Sequence, residues 1–138
     1  MTVASPSLEV LVVDDNLVAA QMMIDVLRAL GHQAQAASGG TEAIRHAMAN
    51  APDVVLMDLR MPDLDGYAAA ARIKTVMPEV LLIAISGAIS PREAAKARAA
   101  GFEVQLEKPI RPERLRSVLE DLFPPACAGP LRQGPGSA

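Results

Sequence analysis

The chain has 138 residues, the size of about one domain, so a catalytic region and a separate regulatory region do not both fit. Hydrophobic residues make up 51% and charged residues 21%, enough apolar content for a buried core and too much for disorder throughout. Lys plus Arg number 13 against 16 Asp plus Glu, a net charge of -3, and with no Trp and only one Tyr and two Phe the chain is neither basic nor aromatic enough for direct nucleic-acid binding.

Met1–Ser7 lacks a charged start followed by an apolar stretch, so residues 1–7 read as a short leader and not a secretory signal, and the expected location is cytoplasmic. No apolar run approaches the roughly 18 residues of a membrane span, and no membrane partner is expected. Leu8–Val13, broken only by Glu9, has the composition of a strand buried on both faces of a parallel sheet. Asp14, Asp15 and Asn16 are helix-capping types, and after them Ala20, Met23, Ile24, Leu27 and Leu30 recur at helical steps until Gly31. His32–Ala37 is a weak strand, and Gly39-Gly40 leads into a helix over Thr41–Asn50 with Ala43, Ile44 and Ala47 inward.

Val54–Met57 is the next strong strand, with Asp58 at its end. The turn Met61-Pro62-Asp63-Leu64-Asp65-Gly66 precedes a helix over Tyr67–Met77 that stops before Pro78. Val80–Ile85 is the third strong strand, ending at Ser86-Gly87. Ser90-Pro91-Arg92-Glu93 combines a capping box with proline at the first helical position, and Gly101 ends the alanine-rich helix it starts. Glu103–Leu106 is a short strand before Lys108-Pro109, and Pro112 opens a last helix with Leu115, Val118, Leu119 and Leu122 on one face. Pro124–Ala138 holds four prolines and three glycines without periodicity and reads as a disordered tail; its single cysteine, Cys127, has no partner for an internal disulfide. Five strands alternating with five helices predict an α/β, doubly wound (βα)5 domain over residues 8–123 with a parallel five-stranded sheet.

In such a sheet every strand delivers its carboxyl end to one rim. The first delivers Asp14 and Asp15, the third Asp58, the fourth Ser86 and the fifth Lys108, whereas the second ends blandly at Ala37-Ser38. A blank second strand fits an edge position, hence the order 2-1-3-4-5. Three carboxylates drawn together repel one another unless a cation or proton intervenes, and an all-oxygen set favours Mg2+, with Mn2+ possible, over zinc. Lys108 supplies a point charge for a phosphoryl oxygen, Ser86 a hydroxyl donor, and Gly87 room for a bulky group. The simplest chemistry for this set is formation of an aspartyl phosphate.

In order and spacing, Val12-Val13-Asp14-Asp15-Asn16, Leu56-Met57-Asp58, the Met61–Gly66 turn, Ser86-Gly87 and Lys108-Pro109 resemble the receiver domains of bacterial two-component response regulators, with their flavodoxin-like fold. The resemblance implies that Asp58 accepts phosphoryl from a histidine kinase or histidine phosphotransfer protein, and that the chain signals to a downstream protein by docking or phosphorelay. It implies that Asp15, Asp58 and the backbone carbonyl of Arg60 hold Mg2+, that Asp14 acts through a bound water, and that Ser86 and Lys108 hold the phosphoryl oxygens. No activity is implied beyond autocatalysed phosphotransfer to Asp58 and self-dephosphorylation. Val13–Asn16 and Leu30-Gly31-His32 also resemble receivers attached to hybrid sensor kinases. The chain departs from the family pattern at Gln105, three residues before the lysine, where an aromatic is usual; as a flexible polar side chain, Gln105 is expected to stay solvated in either signalling state.

Taken singly, each of these residues has a plainer reading. Asp14 and Asp15 cap a helix, Asp63 and Asp65 form a turn, His32 is structural, and His46 lies on a solvated face. Met22, Met23, Met48 and Met57 fall on core-like positions. Two other functions compete: a binding-only receiver that no longer takes phosphate, for which Gln105 is the support, and an aspartate-nucleophile phosphatase. Against the phosphatase, the acidic residues are adjacent and no length remains for a cap over a substrate.

Overall fold

The strand-forming runs and periodic helices alternate as expected in the computed structural model of the chain, which describes residues 7–60, 66–87 and 89–124. The elements are β1 (Glu9–Val13), α1 (Leu17–Ala29), β2 (Gln33–Ala37), α2 (Gly40–Asn50), β3 (Val54–Asp58), α3 (Gly66–Val76), β4 (Leu81–Ser86), α4 (Pro91–Ala100), β5 (Val104–Glu107) and α5 (Pro112–Leu122). The strands form one parallel sheet in the order β2-β1-β3-β4-β5.

Burial explains the order. Every residue of β3 and all but the first of β4 are buried, as central strands covered on both faces require, whereas β2 at the edge exposes Gln33, Gln35 and Ala36. Alternate residues Leu11, Val13, Val55, Met57, Leu82 and Ala84 belong to one core cluster with Ala43 and Ala47 of α2, Ala69, Ala70 and Ile73 of α3, Ala97 of α4, and Phe102. The intervening residues Val10, Val12, Val54, Leu56 and Ile83 are also buried, and α1 contributes Ala20, Ile24 and Leu27 to the buried set. Leu8–Pro109 forms one compact unit, and the described residues from Ile110 to Pro124 belong to another. Within the latter, α5 opens on Pro112 and buries Leu115, Val118 and Leu119 along one face.

The starts of α1 and α4 and the end of α4 are set by residues visible in the sequence. Asn16 caps α1 by accepting from the Ala19 backbone N–H, and the Ser90–Glu93 capping box of α4 is formed in both directions. Gly101 closes α4 at φ 110°, in the left-handed region. The start of α2 differs from expectation. The helix begins at Gly40, its cap Gly39 offers no side chain, and Glu42 instead reaches back to accept from the backbone N–H and hydroxyl of Ser38 at 2.6 and 2.7 Å. Those two bonds hold the Glu42 carboxyl below its usual range.

Two of the four core-like methionines are on the surface. Met57 is fully buried, but Met22 is 64% and Met48 60% exposed. With Ala20, Ile24 and Leu27 inward, Met22 lies about 200° from Ala20 around α1, so it points outward together with Val18, while Leu17 is exposed at the helix's first position. His32 has its structural role: Nδ1 accepts from the Leu8 backbone N–H at 3.1 Å. Asp63, Asp65, Cys127 and all of the tail beyond Pro124 lie outside the described residues.

Candidate functional site

The register of the sheet brings the rim residues level. Val13 pairs with Met57, so Asp14 and Asp58, each one residue further on, end adjacent strands side by side. Asp58 pairs with Ile85, which carries Ser86 one step beyond it, and Ser86 pairs with Glu107, which carries Lys108 one step further again. The Lys108 backbone N–H donates to the Ser86 carbonyl at 2.8 Å, and the Asp14 N–H to the Ala37 carbonyl at 3.0 Å, so both residues are held by the ladder itself.

Carboxylate oxygens of Asp14, Asp15 and Asp58 lie within 4.8 Å of one another. Asp14 and Asp58 are buried and Asp15 is exposed, so the cluster opens on one side. Lys108 Nζ donates to Asp58 Oδ2 at 3.0 Å, and Asp58 Oδ1 accepts from the Arg60 backbone N–H at 2.9 Å. Asp14 Oδ1 accepts from the Asn16 N–H at 2.9 Å. The Asp14 carboxyl is raised above its ordinary 3.8: burial is the largest cause, and repulsion from Asp58 and Asp15 adds to it, against the lowering effects of the Asn16 hydrogen bond and Lys108. Ser86 is almost fully buried beside this set. Among the described residues, a Cβ on Gly87 would meet nothing within 4 Å, so the space beside the serine is open on that side.

All the residues singled out in the sequence, namely Asp14, Asp15, Asp58, Arg60, Ser86 and Lys108, therefore belong to one end of one sheet. Three further features were not foreseen. The sequence places Gly66 only in a turn, yet a Cβ there would lie 2.9 Å from both the Asp58 carbonyl oxygen and Leu59 Cα; the backbone of α3 approaches β3 as closely as only glycine permits. The Arg60 guanidinium pairs with Glu93 of α4 at 4.0 Å, a second use of a capping-box residue that local sequence does not reveal. Gln105 is half-buried, not solvated: its Nε2 donates to the Ala94 carbonyl at 3.3 Å, joining β5 to α4. His46 is remote in role from this set, its Nδ1 lying 3.1 Å from Asn50 Nδ2 on its own helix.

A carboxylate-rich rim on a 2-1-3-4-5 parallel sheet, with a lysine on the central carboxylate, defines a class, and residues 10–120 match the family model of the response regulator receiver domain. The chain belongs to that family and is a receiver domain of two-component systems. It is 30% identical over 110 residues to the sensor histidine kinase RcsC of Salmonella typhi, covering 80% of this chain and 12% of that protein. It is 36% identical over 110 residues to the autoinducer 1 sensor kinase/phosphatase LuxN of Vibrio campbellii, covering 80% of this chain and 13% of that one. The chain thus spans about an eighth of the length of these curated relatives. Among solved structures, chemotaxis protein CheY4 of Vibrio cholerae superposes with a TM-score of 0.82 at 26% identity, over 86% of this chain and 100% of that one.

Receiver domains bind Mg2+ through acidic residues, and the donor set here fits such an ion. The oxygens are hard, among the described residues no His or Cys takes part in the cluster, and the Asp14 carboxyl, raised first by burial and then by repulsion from Asp58 and Asp15, carries a charge that a cation would offset. Among the described residues no helix is long and apolar enough to cross a membrane.

Proposed function

We propose that this chain is a phosphoacceptor switch in which Asp58 takes phosphoryl from a phosphohistidine. A carboxylate oxygen of Asp58 attacks phosphorus, the P–O bond forms as the P–N bond breaks, and the departing imidazole nitrogen is left to take up a proton. Asp15, Asp58 and the Arg60 carbonyl would hold Mg2+, or Mn2+, with Asp14 acting through a bound water; the ion would offset charge on the phosphoryl oxygens. Lys108 moves with the charge: it now rests on Asp58 Oδ2 and is positioned to turn to a phosphoryl oxygen, while Ser86 supplies a hydroxyl donor. The observation that carries this reading is the 3.0 Å contact of Lys108 with the central carboxylate of a three-carboxylate cluster.

The domain is taken to span residues 8–123, with 1–7 and 124–138 as flanks, in the cytoplasm. The donor is a histidine kinase or histidine phosphotransfer protein, and output passes by docking or phosphorelay to a downstream protein. No reaction is assigned beyond phosphotransfer to Asp58 and its hydrolysis. Acetyl phosphate and intact-mass measurement test this: we expect one phosphoryl group, only with Mg2+ or Mn2+ present. Modification that persists in Asp58→Asn, or proceeds equally with a chelator, would overturn it.

A further inference from the structure

The helix α4 is tied to its surroundings by contacts of unlike chemistry. In its first turn Glu93 uses both carboxylate oxygens: Oε1 accepts from the Ser90 backbone N–H at 3.4 Å, completing the capping box, and Oε2 lies 4.0 Å from the Arg60 guanidinium. One residue further on, the Ala94 carbonyl accepts from Gln105 Nε2, and Lys96 Nζ lies 4.4 Å from the centre of the Tyr67 ring. The Gln105 bond joins two neutral groups, so a new charge at Asp58 changes it little.

The Arg60 pair is of another kind. The backbone N–H of Arg60 is bonded to Asp58 Oδ1, so its side chain begins beside the acceptor carboxylate. That side chain is 75% exposed, and a 4.0 Å pair at such a surface holds it only weakly. A phosphoryl group carries about -1.5 to -2 charge and offers three strong acceptor oxygens, against the single charge of Glu93. Guanidinium forks match such oxygens bidentately.

We propose that Arg60 is a positioning residue that reads the charge on Asp58 and passes it to α4. With Asp58 unmodified, Arg60 steadies Glu93 in the capping box; with a phosphoryl group on Asp58, the guanidinium transfers to it and the first turn of α4 loosens. Gln105 keeps the helix on β5 beyond that turn, so the change is confined to the segment around Ser90–Glu93. The switch then works through a residue on the acceptor loop, in a chain that has no aromatic at position 105. This inference rests on the reading of Asp58 as phosphoacceptor.

The test compares the full chain with and without beryllofluoride and Mg2+. Fluorine NMR reads occupancy of Asp58, and NMR water exchange reads the Ser90 and Glu93 amides. Glu93→Gln is the informative variant, because glutamine still closes a capping box but loses the ion pair. We expect beryllofluoride to speed exchange of the two amides by about two- to fivefold in the parent chain, the size of an exposed ion pair. Glu93→Gln and Arg60→Gln should exchange faster from the outset and respond no further, and Arg60→Lys should retain part of the response. Occupied Asp58 with unchanged or slowed exchange, or an undiminished response in Glu93→Gln, overturns the proposal. A bound-fluoride signal that is absent from the parent chain, or that survives in Asp58→Asn, overturns the phosphoacceptor reading and the inference with it.

Discussion

Asp14 and Asp58 end neighbouring strands and are both buried, yet they are held by unlike partners. Asp58 has the Lys108 ammonium and the Arg60 N–H, whereas Asp14 has the Asn16 N–H and stands among like charges. A carboxyl raised in the folded state contributes stability that is fully present below its unfolded value of 3.8 and is lost as pH rises through the folded value, so at neutral pH the Asp14 charge is a cost. Asp14→Asn keeps an oxygen for the Asn16 N–H and removes the charge. It should stabilise the protein in chelator by about 1 kcal/mol and weaken the stabilisation that Mg2+ provides. Thermal melts of both proteins with chelator and with Mg2+ decide the matter, and a variant less stable than the parent in chelator would count against a shared acidic pocket. His32 runs the opposite way. Burial lowers its pKa from 6.5, and its Nδ1 must stay unprotonated to accept from Leu8, so its contribution is present above pH 6.5 and is lost as pH falls through the depressed value. Urea melts at pH 7.5 and 5.5 should show the parent chain losing up to about 1 kcal/mol more than His32→Asn, whose amide oxygen can accept the same N–H at either pH.

Among the elements, legibility follows how local the determining interaction is. The capping box of α4 spans four consecutive residues and was readable from Ser90-Pro91-Arg92-Glu93; the apolar stripe of α1 was readable from Ala20, Ile24 and Leu27. The start of α2 was set one residue late because its cap is a side chain reaching back from inside the helix, Glu42 to Ser38. Its end carried no glycine to announce it. Ala51 closes α2 at φ 47°, ψ 65°, the left-handed region in which an L residue crowds its own carbonyl, and its N–H bonds to Ala47. Ala51→Gly should therefore stabilise the fold by about 0.5–1 kcal/mol, since relief of the native strain outweighs the added freedom of the unfolded chain. Urea denaturation should give a higher midpoint with an unchanged slope; a lower midpoint would mean that the alanine conformation is not strained.

For the whole molecule, the rim was legible because a parallel sheet sends every strand terminus to one end, which places Asp14, Asp58, Ser86 and Lys108 together without any knowledge of loops. What lay hidden were contacts between elements, Gln105 to Ala94 and Arg60 to Glu93; legible in the helical period of α1, though at odds with a core-like reading of the residue, is the outward turn of Met22. The last of these bears on how the chain is used. Leu17, Val18 and Met22, on the first two turns of α1, are 69%, 70% and 64% exposed, three large apolar side chains on the helix that leaves the acidic rim. Under the proposed function, a small donor such as acetyl phosphate need not touch them to reach Asp58, whereas a protein presenting phosphohistidine would cover some surface beside the rim, where apolar side chains supply association energy. Replacing Val18 and Met22 together by glutamine keeps both on the exposed face of α1 and adds no charge near the carboxylates. The double variant should accept phosphoryl from acetyl phosphate at about the parent rate and from a phosphorylated histidine kinase or phosphotransfer protein at least about tenfold more slowly. Single-turnover transfer from a purified phosphorylated donor measures the difference. Equal slowing with both donors would point to damage at the rim, and no slowing with either would assign the docking surface to another face.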